Sequence, residues 1–115
     1  MTVAELPQFA READRIRGER SHQQLIEFLG LNPESGLIIP DTGGVRKLRW
    51  AVPGRGKRGG ARVIYYFHNA NLPLLALTIY AKTEKVDITV ADKKQMKAEV
   101  DEYLRFYSER KRGKQ

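Results

Sequence analysis

Residues 54–62 read GRGKRGGAR: four glycines, four cations and one alanine, directly ahead of the apolar run Val63–Phe67. Guanidinium groups clamp phosphate oxygens in pairs, whereas lysine can also exchange a proton when neighbouring cations disfavour its charged form. Lys57, with Arg55 and Arg58 beside it, is therefore the better acid–base candidate of the stretch. A loop lysine that merely attracts a polyanion is the alternative reading. Arg62 opens the β-prone run, where the backbone is well held, and suits a phosphate clamp; an ordinary strand-edge arginine is the alternative. Gly54, Gly56, Gly59 and Gly60 let a strand of nucleic acid approach the backbone closely, or simply let the loop turn.

The charge distribution reinforces this reading. The chain of 115 residues carries a formal charge of +7. Residues 1–44 hold four arginines against seven acids, while residues 45–68 hold seven cations (Arg46, Lys47, Arg49, Arg55, Lys57, Arg58 and Arg62) and no acid. Such a stretch predicts attraction to nucleic acid, a solvated basic loop being the plain alternative. The length suits a single domain over 1–115, with 108–115 as a flexible basic tail. With 41% hydrophobic and 30% charged residues the composition is that of a globular fold. No apolar run reaches the roughly 18 residues of a membrane span, and no basic, apolar leader opens the chain. The absence of cysteine excludes a disulfide framework and a thiolate metal site, and His22 and His68 lie far apart. The expectation is a cytoplasmic protein with no cofactor, no metal and no membrane partner.

The elements that must position these cations follow from periodicity. Thr2–Leu6 can form a short edge strand. Pro7 suits the first position of a helix carrying Phe9, Ala13 and Ile16 on one face, ended by Gly18. Ser21 and Gln24 match a capping box, predicting a second helix with Leu25, Phe28 and Leu29 inward, stopped by Gly30 and Asn32–Pro33. A helical hairpin is expected. Val45, Leu48, Trp50 and Val52 mark a strand cut by Pro53, with Trp50 in the core. Val63–Phe67 reads as a central strand covered on both faces, Asn69–Asn71 as a turn, and Leu74–Tyr80 as a third strand. Thr89 and Asp92 cap a last helix with Met96, Val100, Tyr103, Leu104 and Tyr107 on one face. The two tyrosines read as packing. The sum is an α+β fold: a small twisted antiparallel sheet flanked by an N-terminal helical pair and a C-terminal helix.

Three blocks, DTGGVRKLRW at 41–50, GRGKRGGARVIYYF at 54–67 and LTIYAKTEK at 77–85, stand in an order and spacing that resemble the RelE/ParE toxin superfamily. The Gly-Gly-Val-Arg-Lys-Leu-Arg strand is most like the HigB-type branch. The resemblance implies a RelE-like fold and a toxin of a type II toxin–antitoxin pair. Its partners would be a cognate helix-turn-helix antitoxin, the ribosome and mRNA, which it would cut in the ribosomal A site.

Cleavage of RNA without a metal needs a base for the 2′-OH, donors for the charge on the phosphorane-like transition state and an acid for the leaving 5′-oxygen. The attacking oxygen is the substrate's own, so DNA would be spared. Arg62 matches the superfamily's arginine and is assigned the transition-state charge. Lys57 and Arg55 complete the basic wall, with Arg58 on the RNA backbone. Lys82, placed by the family's Tyr-Ala-Lys pattern, is assigned a phosphate or leaving-group role. Tyr80 can stack a base or serve as a sheet residue. Arg46, Lys47 and Arg49 are expected on the ribosomal RNA backbone or the antitoxin, and His68 is either a general acid or a solvent-facing histidine. Where the RelE prototype carries an arginine and a tyrosine, this chain has Thr83 and Thr89. ParE-like relatives share the fold and poison DNA gyrase instead, and a catalytically inactive RNA-binding module is the third option.

Overall fold

The structure, a computed structural model, describes residues 1–51, 60–85 and 87–113. The elements run β1 (Val3–Glu5), α1 (Pro7–Leu31), β2 (Leu37–Ile38), β3 (Val45–Trp50), β4 (Ala61–Tyr66), β5 (Leu74–Ala81) and α2 (Val90–Gly113). The five strands form one sheet in the order β1-β5-β4-β3-β2. Neighbours from β2 to β5 pair antiparallel, whereas β1 lies parallel to β5, so the sheet is mixed. No hairpin joins β1 to β5, and nothing obliges that pair to run antiparallel.

The expected central strand is central. On β4, Ala61, Val63 and Tyr65 face one core and Ile64 and Tyr66 the other. The first core packs under α1 through Phe9, Ala13, Leu25 and Leu29. The second packs under α2 through Met96 and Val100. Removing each such large apolar side chain from water stabilises by about 1.5–3 kcal/mol, which explains why a strand covered twice reads as a continuous apolar run. A bulge interrupts the β4–β5 register: Ile64 faces Thr78 and Tyr65 faces Ala76, leaving Leu77 unpaired. The Leu77 carbonyl accepts a hydrogen bond from the Gln8 side chain at 3.1 Å.

The expected N-terminal helical pair is present. Both halves belong to α1, which is broken at Gly18 with φ 80° and ψ 164°, a conformation in which a side chain is strained. The second half is already helical at Ser21, so Ser21 is not a cap; its buried hydroxyl instead accepts from the Trp50 indole at 3.4 Å. Trp50 is half-buried and packs on Phe28, ring centroids 5.4 Å apart. At α2 the expected box is present. Thr89 N–H donates to Asp92 Oδ2 at 2.8 Å, and Asp92 N–H donates to Thr89 Oγ1 at 3.1 Å. Helix α2 continues to Gly113, through most of the segment expected to be a flexible tail. Tyr103 packs against the α2-side core and donates to the Pro73 carbonyl.

The DTGG segment is turn chemistry. Asp41, Gly43 and Gly44 all have positive φ, and the fully buried Thr42 hydroxyl donates to Ile39 O at 2.7 Å and accepts from Val45 N–H at 3.1 Å. This knot returns the chain from β2 into β3 and sets the register of the basic strand. Val52 and Pro53, expected to close that strand, lie outside the described residues; β3 ends at Trp50.

Candidate nucleic-acid interface

Strand alternation divides the basic residues of β3 between the two faces of the sheet. Arg46, Leu48 and Trp50 lie on the α1 side with Tyr65, Val63 and Ala61 opposite them, whereas Lys47 and Arg49 lie on the α2 side. The consequence for Arg46 is direct. Its guanidinium donates to the carbonyls of Gly36 at 2.8 Å and Glu34 at 3.2 Å, fastening the turn before β2. It is thus placed away from Lys47 and Arg49, with which the sequence grouped it.

On the α2 side, register sets three residues in a row across three strands: Arg49 on β3 opposite Arg62 on β4, and Arg62 opposite Tyr80 on β5. Directly opposed side chains on one sheet face stand about 5 Å apart at Cβ, and like charges so placed repel. Among the described residues no carboxylate pairs with Arg49 or Arg62. The Nη1 of Arg62 is buried with no hydrogen-bond partner there. A buried charged donor without an acceptor is costly, and a phosphate oxygen would satisfy it. Burial raises the Tyr80 phenol above its ordinary value, with the Arg62 charge opposing, so the hydroxyl stays a donor at neutral pH.

This row lies at the end of the sheet where β3 and β5 finish and β4 begins. Lys82, one residue past β5, is exposed there, and its N–H donates to Gly60 O at 3.2 Å. Lys47 is exposed on the same face, two residues back along β3 from Arg49. Arg55, Lys57 and Arg58 lie outside the described residues; the chain leaves for them after Ala51 and returns at Gly60, beside Arg62 and Lys82. His68 is not brought to this end. It follows the far end of β4, about 20 Å along the strand from Arg62, and its Nδ1 pairs with the Tyr66 hydroxyl at 2.8 Å.

Behind Tyr80 the N-terminal turns of α2, together with β5 and Gln8 of α1, line an open-sided cavity of about 210 Å³ whose walls include Thr78, Tyr80, Lys85, Met96 and Glu99. Lys85 lies 5.9 Å from the centre of the Tyr80 ring and pairs with Asp92 at 2.5 Å. None of Gln8, Lys85 and Glu99 stands out in the sequence, because Gln8 and Glu99 are 91 positions apart and no local spacing links them. The one legible hint was the alternation along β3, which already separates Arg46 from Lys47 and Arg49.

No helix among the described residues is long and apolar enough to cross a membrane, and no group of three histidine, aspartate or glutamate side chains there is arranged to hold a metal ion. The arrangement is a sheet face with opposed cations, a phenol donor and a lysine at its rim, suited to an extended phosphate ester. A family model, the RelE toxin of the RelE/RelB toxin–antitoxin system, matches residues 8–111, nearly the whole chain, and the protein belongs to that family.

Proposed function

We propose that this toxin inhibits translation as an endoribonuclease that cuts mRNA in the ribosomal A site, using the substrate's own 2′-OH. The 2′-oxygen attacks the adjacent phosphorus, the P–O5′ bond breaks, and the products carry a 2′,3′-cyclic phosphate and a 5′-hydroxyl. Arg62 takes the charge that develops on the non-bridging oxygens. Donors aimed at developing charge contribute more to rate than groups that bind substrate and transition state alike. Arg49 and Tyr80, its neighbours in the row, hold the same phosphate and the flanking nucleotide. Lys57 and Lys82 supply the proton transfers at the two oxygens, and Arg55, Arg58 and Lys47 follow the RNA backbone. The cognate antitoxin, a helix-turn-helix protein in this reading, holds the toxin inactive.

The observation that carries the proposal is the opposed pair Arg49 and Arg62, with a buried Arg62 donor lacking any partner among the described residues. The test is cleavage of a defined mRNA on programmed 70S ribosomes by wild type, Arg62→Ala and Lys57→Ala. Wild type should cut within the A-site codon and leave the two ends named above, and both variants should be strongly slowed. If wild type leaves mRNA intact on and off the ribosome, the nuclease reading fails, and supercoiling by DNA gyrase becomes the activity to assay.

A further inference from the structure

The cavity behind Tyr80 adjoins the proposed phosphate row yet has a different chemistry. At about 210 Å³ it falls below the ~300–1,000 Å³ typical of sites for whole small ligands, which suits a single ring system. Its walls are apolar at Ile88 and Met96 and aromatic at Tyr80. Its polar lining includes donors at Thr78, Lys85 and Gln95, and two acceptors converge where Gln8 meets Glu99. The Gln8 amide nitrogen donates to the Leu77 carbonyl at 3.1 Å and to Glu99 Oε2 at 3.2 Å, so both of its protons are spent. Because the Leu77 carbonyl can only accept, the amide is fixed in that orientation, and Gln8 Oε1 is an unused acceptor among the described residues. Glu99 has no cationic partner among the described residues, since Lys85 is held by Asp92. Among the described residues its second oxygen also accepts no hydrogen bond. A carboxylate here would repel a phosphate and accept from neutral N–H groups.

We propose that this cavity reads one base of the bound RNA, and that Glu99, oriented by Gln8, selects guanine. Guanine alone among the four bases presents two adjacent donors, N1–H and N2–H, on its Watson–Crick edge, and these match a carboxylate. Adenine and cytosine present one amino group beside an acceptor, and uracil one imino group between two acceptors. Unstacked bases of single-stranded RNA are recognised in this manner, by their edges and by stacking on an aromatic ring, and Tyr80 supplies the ring between cavity and phosphate row. Glu99 is a specificity residue in this scheme and takes no part in bond breaking. The proposal rests on the RNA-cleavage reading for the identity of the ligand.

The test uses four single-stranded RNA pentamers, 2′-O-methylated throughout so that they cannot be cut, differing only in the central base. Binding is measured by fluorescence anisotropy with wild type, Glu99→Gln and Gln8→Ala, each checked for folding by its thermal melt. A good bidentate pair discriminates by roughly tenfold. Wild type should bind the guanine pentamer about tenfold more tightly than the other three. Glu99→Gln should abolish the guanine preference, and among the other bases the largest gain should fall to adenine, whose amino group and adjacent acceptor match an amide. Equal affinity of wild type for all four, binding of none, or a guanine preference that survives Glu99→Gln overturns the proposal. Guanine-selective binding without any cleavage on ribosomes would sink the nuclease reading and leave the base site standing. Cleavage with no base preference in binding would do the reverse.

Discussion

Two arginines facing each other across a pair of strands are hard to explain by folding alone. Arg49 and Arg62 are directly opposed, and neither has a carboxylate partner among the described residues. Opposed like charges on a sheet cost stability on the scale of the cross-strand term, roughly 0.2–1 kcal/mol. Replacing one with a neutral side chain of similar length should therefore stabilise the free protein. For Arg49→Gln we expect a gain of about 0.5 kcal/mol in a urea melt at low salt, with weaker RNA binding. A loss of stability in that variant would mean that the arginine has a structural partner and that the row is not poised for an anion. Arg46, three residues earlier in the chain, has the opposite economy. Its Nη1 is committed to the Gly36 and Glu34 carbonyls, although its buried Nε, like Arg62 Nη1, has no partner among the described residues. Residue type made the two look alike, and only the face of the strand tells them apart.

At the scale of elements, much was legible because the signals were local. The continuous apolar run of β4, the Asn69–Asn71 turn and the Thr89–Asp92 box each rest on neighbours in the chain, and each is found where periodicity or cap chemistry puts it. What escaped was non-local. The first helical half ends at Gly18 as expected, but Ser21 does not cap the second, because its hydroxyl is drawn to Trp50 on β3. The two-residue β2 is too short to leave a period, and the parallel seat of β1 depends on β5, some 70 residues away. Helix α1 has a further tie across its break. His22 pairs with Asp14 Oδ1 at 2.6 Å and with Glu5 on β1, joining the two helical halves to the edge strand. Burial works against the charged imidazole, but the two carboxylates outweigh it and raise its pKa. With the folded value above the unfolded value of about 6.5, the stabilisation is full below that pH and is lost as pH rises through the folded value. Wild-type stability should therefore fall with rising pH above about 6.5, and His22→Gln should flatten that part of the curve. A chemical melt series from pH 5 to 9 would show it. An unchanged slope in His22→Gln would mean that the cluster carries no proton linkage.

The whole molecule is a sheet with two unlike faces. The α1 side is a core closed by Phe9, Leu25 and Leu29, and it absorbs Arg46 into turn fastening. Among the described residues the α2 side is covered only in part. Met96 and Val100 seal one stretch, and the remainder presents Lys47, Arg49, Arg62 and Tyr80, with a small cavity beside them. The charge of residues 45–68 carries the proposed nucleic-acid surface, and the resemblance to RelE-type toxins agrees with the matched family. Alternation along β3 divides that charge, but which residues fall on which face follows only from the register, which the buried Thr42 turn and the β3–β4 pairing establish. The central claim is that one face of this sheet performs RNA cleavage and the other only supports it. The most direct test is the single-turnover rate of mRNA cleavage on programmed ribosomes for Arg62→Ala and Arg46→Ala, compared at a temperature where both remain folded. Loss of one oriented donor to a transition-state oxyanion slows reactions by about 100- to 1,000-fold. We expect that loss for Arg62→Ala, and a rate within a few-fold of wild type for Arg46→Ala. If Arg46→Ala is slowed as much as Arg62→Ala, or Arg62→Ala cleaves at the wild-type rate, the assignment of the catalytic face is wrong.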